Sequence, residues 1–201
     1  MLSPSHTLRL AFSAILLALS TLHPPPVQGQ QGDVDPGRVE GALEASVGAT
    51  SLTGKAVPLW GLSAGVWIGR RFYLGGQGRS LPDALDLQRA GGEERLHFGY
   101  GGLQVRVRAW SRPGADVDLG VLVGAGRARL RDALVGFEKG ADNAFLLEPS
   151  LRARRGFLGG RLHLGAALGF RQAWGVEDLP GLVPGDLGGP TAALSLSVER
   201  R

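Results

Sequence analysis

The chain has 201 residues, a length suited to one domain, and a formal net charge of +4. It has no cysteine, which excludes a disulfide framework, thiolate metal ligands and a cysteine nucleophile. Its basic residues are nearly all arginine, Lys55 and Lys139 being the two lysines, and they alternate with apolar residues. A nucleic-acid binder gathers such charge into a patch or stripe, so no nucleic-acid partner is expected.

Residues 1–29 read as a signal peptide. His6 and Arg9 precede the apolar run Ala11–Leu22, and Val27-Gln28-Gly29 supplies a cleavage region. The run is too short to cross a bilayer as a helix. Residues 30–37 are then a short lead-in and residues 38–201 the folded domain.

Eight segments of alternating polarity follow, each one candidate strand. They are Arg38–Thr50, Pro58–Gly69, Phe72–Ser80, Leu96–Trp110, Ala115–Arg129, Ala144–Phe157, Arg161–Trp174 and Thr191–Arg201. In the second, for example, Trp60, Leu62, Ala64, Val66 and Ile68 alternate with Gly61, Ser63, Gly65 and Trp67. In the fourth, Leu96, Phe98 and Tyr100 occupy one register and Leu103, Val105 and Val107 the other. A one-residue slip flips every side chain, so the pattern predicts a β-bulge at Gly101-Gly102.

The connections are predicted to alternate in length. Arg70-Arg71, Ser111–Gly114 and Leu158–Gly160 are short, whereas Ser51–Val57, Leu81–Arg95, Leu130–Asn143 and Gly175–Pro190 are longer. An even strand count with short turns on one side and longer loops on the other is the pattern of a bacterial transmembrane barrel. Aromatic residues gather toward segment ends: Trp60, Phe98, Tyr100, Phe145, Phe170 and Trp174 at one side, Trp67, Phe72, Tyr73, Trp110 and Phe157 at the other. Two aromatic girdles flanking an aliphatic band mark bilayer interfaces. The expected fold is therefore all-β, an eight-stranded antiparallel up-and-down transmembrane β-barrel. Its short turns are periplasmic, its longer loops external, and outer-membrane lipid is its expected surroundings.

On this register the inward face carries Glu40, Glu44, Asp116, Asp118, Glu148 and Glu199 with Arg79, Arg106, Arg108, Arg152, Arg154, Arg161 and Arg171. Eight strands leave an interior just wide enough for side chains to fill, and a confined charge needs a partner or water. The expected lumen is an ion-pair plug, with a narrow gated channel as the alternative. Arg127, Arg129 and Arg131 continue the outward side of the fifth segment beyond its apolar part. They read either as contacts for lipid phosphate or as a strand extension standing in water.

No phosphate loop, His-Glu-x-x-His or Gly-x-Ser-x-Gly element is present, and His97 and His163 are isolated. No catalytic residue, cofactor or metal site is therefore expected. Outer-leaflet lipid modification is a weaker alternative. A soluble lipocalin-like carrier would need an apolar interior and a polar exterior. The acidic loops Leu81–Arg95 and Gly175–Pro190 read as solvated caps or as contacts for a surface partner or cation.

Phe98-Gly99-Tyr100-Gly101-Gly102-Leu103, the strand Gly120–Gly126 after a tight turn, and the repeated strand-turn pattern resemble the small OmpA/OmpX-like outer-membrane barrel superfamily. The resemblance spans Arg38–Arg201. It implies an eight-stranded barrel inserted by the outer-membrane assembly machinery, with a role in envelope integrity, adhesion or surface interaction. Members of that family commonly finish in an aromatic residue, whereas this chain ends Val198-Glu199-Arg200-Arg201.

Overall fold

The structure, a computed structural model, describes residues 39–200 apart from 90, 91, 178 and 180; the side chain of Arg89 is also outside the described set. The expected signal peptide and lead-in, with Arg38 and Arg201, lie outside the described residues.

Eight strands close into a ring. They are β1 (Val39–Leu52), β2 (Lys55–Ile68), β3 (Phe72–Ser80), β5 (Gly92–Arg112), β6 (Ala115–Asp132), β7 (Glu138–Phe157), β8 (Leu162–Trp174) and β9 (Gly189–Arg200). Each is antiparallel to both neighbours, and β1 against β9 completes the closure. A ninth, short strand, β4 (Leu85–Arg89), hangs on β5 beyond the end of β3. The four-residue helix α1 (Pro184–Leu187) lies between β8 and β9. β1 begins and β9 ends at one rim, the terminal rim; the opposite rim carries β4 and α1.

The registers fix the dimensions. From Val47, register partners lead through Trp60 and Ser80 to Gly99 on β5. The other way round, through Leu194, Ala166, Ala153 and Val117, they lead to Trp110 on the same strand, a displacement of 110 − 99 = 11 residues that includes one bulged residue. A stagger of about ten on eight strands, at about 3.3 Å per residue and about 4.7 Å between strands, gives a tilt of about 41° and a radius of about 8 Å. Side chains from opposite walls meet across so narrow a bore.

The outward face is apolar. Leu43, Val47, Leu62, Leu74, Leu103, Leu119, Leu151, Leu164 and Leu194 are all exposed, and no charged side chain interrupts the band they form. In a water-soluble protein this much contiguous apolar surface would be an aggregation hazard. Among the described residues no helix is long and apolar enough to cross a membrane.

The structure differs from the sequence expectations in several places. β5 runs without interruption through Gly101↔Ala125 and Gly102↔Gly124, so no bulge lies there. The bulge lies between Arg108 and Trp110, at Ala109. Even-numbered residues of β5 point inward from Leu96 to Arg106; the extra residue turns Trp110 outward. Phe98 and Tyr100, expected in a girdle, therefore face the interior, 3% and 6% exposed. Trp67 and Tyr73 are likewise inside. What changes at Gly101-Gly102 is the chemistry of the inward face, not its register.

The loop expectations also change. Thr53 (φ 49°) and Gly54 (φ 75°) form a two-residue turn, so the first far-rim connection is tight. Two positive φ angles at the central positions suit a hairpin turn that matches strand twist. Much of Leu81–Arg95 and Leu130–Asn143 is strand: β4, β5, β6 and β7 extend as a hairpin array above the apolar band. Arg161, expected in the lumen, sits in the terminal-rim turn after Leu158–Gly160 and is exposed.

Candidate functional site

The interior has two layers. Toward the far rim it is apolar. Leu59, Leu96, Phe98, Leu122, Leu130 and Leu146 pack there with Val176, Leu179, Leu182 and Leu187, which the β8–β9 connection tucks inward. Toward the terminal rim it is ionic. This layering follows from the inward positions of each strand: β5 changes from Leu96, Phe98 and Tyr100 to Gln104 and Arg106, and β7 from Leu146 to Glu148, Arg152 and Arg154.

Three charge clusters make up the ionic layer. In the first, Glu44 Oε2 accepts from Arg106 Nη1 at 3.0 Å and from Arg152 Nη1. Arg106 Nη2 also donates to Gln104 Oε1 at 2.5 Å and to Ser63 Oγ at 3.2 Å, and its guanidinium lies 4.4 Å from the Tyr73 ring centre. In the second, Arg154 contacts Glu199 at 2.5 Å, Asp118 at 2.9 Å and Asp116 at 3.2 Å. Arg108 reaches Asp118 at 3.4 Å and Asp116 at 3.6 Å. The Trp67 ring takes the Arg108 and Arg154 guanidiniums at 4.3 and 4.8 Å. A desolvated cation over an indole face is among the stronger such contacts.

The third cluster lies where the layers meet. Glu148 accepts from Arg79 Nη1 at 2.5 Å, Tyr100 OH at 2.7 Å and Thr191 Oγ1 at 3.1 Å. Above it, Arg171 is fully buried and lies 5.0 Å from the ring centres of both Phe98 and Tyr100. Its Nε donates to the Leu187 carbonyl at 2.6 Å, and Nη2 to the Ser51 carbonyl at 3.4 Å. Arg171 thus ties α1 to the end of β1.

The structure brings Glu44, Arg79, Arg106, Arg108, Asp116, Asp118, Glu148, Arg152, Arg154, Arg171 and Glu199 into the interior, with Glu40 buried near the terminal rim. With Arg161 outside, six carboxylates face six guanidiniums. Trp60, Phe72, Trp110, Phe145, Phe157, Phe170 and Trp174 are exposed on the outward face, in two groups toward the two rims. Phe145 and Trp174 pack together with ring centres 5.8 Å apart. Sequence reasoning missed Trp67 and Tyr73 as lumenal ring platforms. The usable signal was their strand parity: Trp67 shares a face with Ser63, and Tyr73 with Gln77 and Arg79. Among the described residues, no grouping of three or more metal-ligating side chains could hold an ion.

A closed eight-strand ring with an aliphatic exterior, two aromatic groups and an ionic interior defines a small transmembrane β-barrel. The fold is the OmpA/OmpX-like one. Neisserial surface protein A is similar at a TM-score of 0.55 and 11% identity, over 81% of this chain and 96% of that one. The N-terminal β-barrel domain of Pseudomonas aeruginosa OprF is similar at a TM-score of 0.52 and 12% identity, over 81% and 99%. No protein-family model matches the sequence, and no curated protein matches it. At such identities the likeness is one of fold.

Proposed function

We propose that this chain is an integral outer-membrane barrel with a closed lumen, non-catalytic, whose role is envelope structure or interaction at the outer surface. One observation carries the reading: the apolar side chains face out and the charges face in around a closed ring. That polarity is inside-out for a water-soluble carrier and matches strands that cross a bilayer. Two features support a closed lumen. Five carboxylates, Glu44, Asp116, Asp118, Glu148 and Glu199, meet five guanidiniums, Arg79, Arg106, Arg108, Arg152 and Arg154, in direct contacts, and the apolar layer above them is filled by the β8–β9 connection. In this reading the terminal rim is periplasmic and the β4–β7 array is external. Insertion by the outer-membrane assembly machinery belongs to the same proposal.

Cell fractionation followed by gel migration in mild detergent, with and without boiling, tests the placement. A band in the outer-membrane fraction that shifts on heating is the expected result. A soluble periplasmic protein with no shift would refute it. Planar-bilayer recording tests the closed lumen, for which baseline current is expected. Steps in current that change with Arg152→Gln would favour the narrow channel instead.

A further inference from the structure

Above the apolar band the outward face of β5 and β6 changes character. Arg127, Arg129 and Arg131 continue the line of Val117–Ala125 on β6. Arg95 and His97 face them from β5, in the register pairs Arg95↔Arg131 and His97↔Arg129. Basic residues directly opposed across an antiparallel pair oppose strand pairing when both are charged. Asp86 takes up Arg95 at 3.4 Å. Among the described residues, Arg127, Arg129 and Arg131 make no ion pair with a carboxylate.

The wall beside them is bare. Arg127 pairs with Gly99, and Gly99 with Ser80, so no large side chain covers the sheet there. A depression of about 530 Å³ opens at this point, lined by Ser80, Gly99, Arg127, Arg129 and Arg131 with one carboxylate, Asp83, among others. Its height is set by the strand. Ten residues separate Val117, the partner of Trp110 in the terminal-rim aromatic group, from Arg127. At the barrel's tilt they rise about 25 Å, the height of the apolar band of an outer-membrane barrel. Arg127 therefore stands at the edge of the hydrocarbon, with Arg129 and Arg131 about 5 and 10 Å higher, in the headgroup layer.

We propose that Arg127, Arg129 and Arg131 form a binding site for the phosphate of an anionic lipid headgroup in the outer leaflet. Three guanidinium forks outnumber the one carboxylate of the depression, Asp83, with which they make no ion pair; at headgroup height beside the bare Gly99–Ser80 wall they fit a phosphate ester approached from the bilayer. A bound phosphate would also offset the repulsion across the β5–β6 register. The inference rests on the membrane-barrel reading above.

The test uses the full chain in phosphatidylcholine vesicles doped either with phosphatidic acid or with diacylglycerol, which differs by lacking the phosphate. Lipid retained by the folded protein is counted by native mass spectrometry. The wild type is expected to retain phosphatidic acid over diacylglycerol. Arg127→Gln/Arg129→Gln should lower that retention about a hundredfold, about tenfold for each of the two charge-assisted hydrogen bonds lost. Arg155→Gln, at the exposed terminal rim, should leave it unchanged. Equal retention of the two lipids by the wild type, or equal retention by wild type and double variant, would overturn the proposal. Full displacement of phosphatidic acid by millimolar inorganic phosphate would overturn the lipid as the source and leave a soluble anion. A heat-shifted band in undoped phosphatidylcholine is measured in parallel. Its absence would refute the membrane-barrel reading itself, whereas its presence without a phosphate preference would refute only this site.

Discussion

Replacing Glu44 with glutamine tests whether the lumenal charges are dry and mutually dependent. Glu44 is 4% exposed and takes donors from Arg106 and Arg152 on the same oxygen, Oε2. Glutamine keeps the volume and one acceptor, so no cavity is created. It removes the negative charge between two guanidiniums whose side chains are each 4% exposed. Breaking a buried ion pair costs about 3–5 kcal/mol, because the surviving charge is left without compensation. Arg106 retains Ser63, Gln104 and the Tyr73 ring, which places the expected loss near the lower end, about 3 kcal/mol. The assay is urea unfolding of the protein refolded into phosphatidylcholine vesicles, followed by tryptophan emission and by the heat-shifted gel band. A double-mutant cycle with Arg152→Met completes it. A coupling of about 0.5–3 kcal/mol is expected, so that the second substitution recovers part of what the first removed. A loss below about 1 kcal/mol with no coupling would mean that water screens these charges, as in an open lumen, and would rule out a dry ionic interior.

Four further outcomes follow from the same geometry. Gly124→Ala would drive a Cβ into the Gly101 carbonyl and to 2.6 Å from the Gly102 Cα, and should cost about 1–3 kcal/mol. Gly41→Ala meets nothing within 4 Å and should change stability by less than about 0.5 kcal/mol in the same unfolding assay. Arg171→Met removes the bonds to the Leu187 and Ser51 carbonyls, so amide exchange over residues 183–188 should accelerate while β8 and β9 stay protected. At the external tip, the Val135 and Leu134 amides hold the Asp132 carboxyl below its ordinary range. A depressed folded pKa contributes order that is complete above the ordinary carboxylate pKa of about 4 and disappears as pH falls through the lower value. Exchange at Leu134 and Val135, corrected for intrinsic rates, should therefore be flat from neutral pH down to about 5 and step up below about 4. Asp132→Ala should abolish the step.

The ring of strands was legible because every transmembrane segment keeps a period of two, and closure of eight strands admits only one side for the charges. β3 illustrates this: Phe72–Ser80 is both the expected and the observed range. Legibility failed where inward residues stop being polar. Leu96, Phe98 and Tyr100 keep the parity of Gln104 and Arg106, but their apolar character read as a change of face. A lumen with a dry upper layer breaks the rule that polar means inward. The glycines at Gly101-Gly102 strengthened the misreading, because glycine marks both bulges and close strand approaches. Here Gly102 opposes Gly124, and β6 crowds the space a Cβ would need. The true bulge was hidden at Ala109, where only the need to turn Trp110 outward betrays it. β4 and the external array were read as loop because the segments are short and charged, as in Leu85–Arg89. Of the candidate site, the acids and bases were readable residue by residue, but their partners were not. Which arginine meets which carboxylate depends on the stagger of the barrel, which no local pattern contains.

Odd-numbered residues of β6 face outward, toward lipid in a membrane barrel, and even-numbered ones face the interior. The chain has no native cysteine, so single cysteines placed in turn over residues 117–125 can each carry one fluorophore without background. Each labelled protein is refolded into vesicles containing acyl-chain-brominated lipid, and quenching is measured position by position. Strong quenching is expected at 117, 119, 121, 123 and 125 and little at the positions between them. Uniform quenching, no quenching, or the opposite alternation would contradict it.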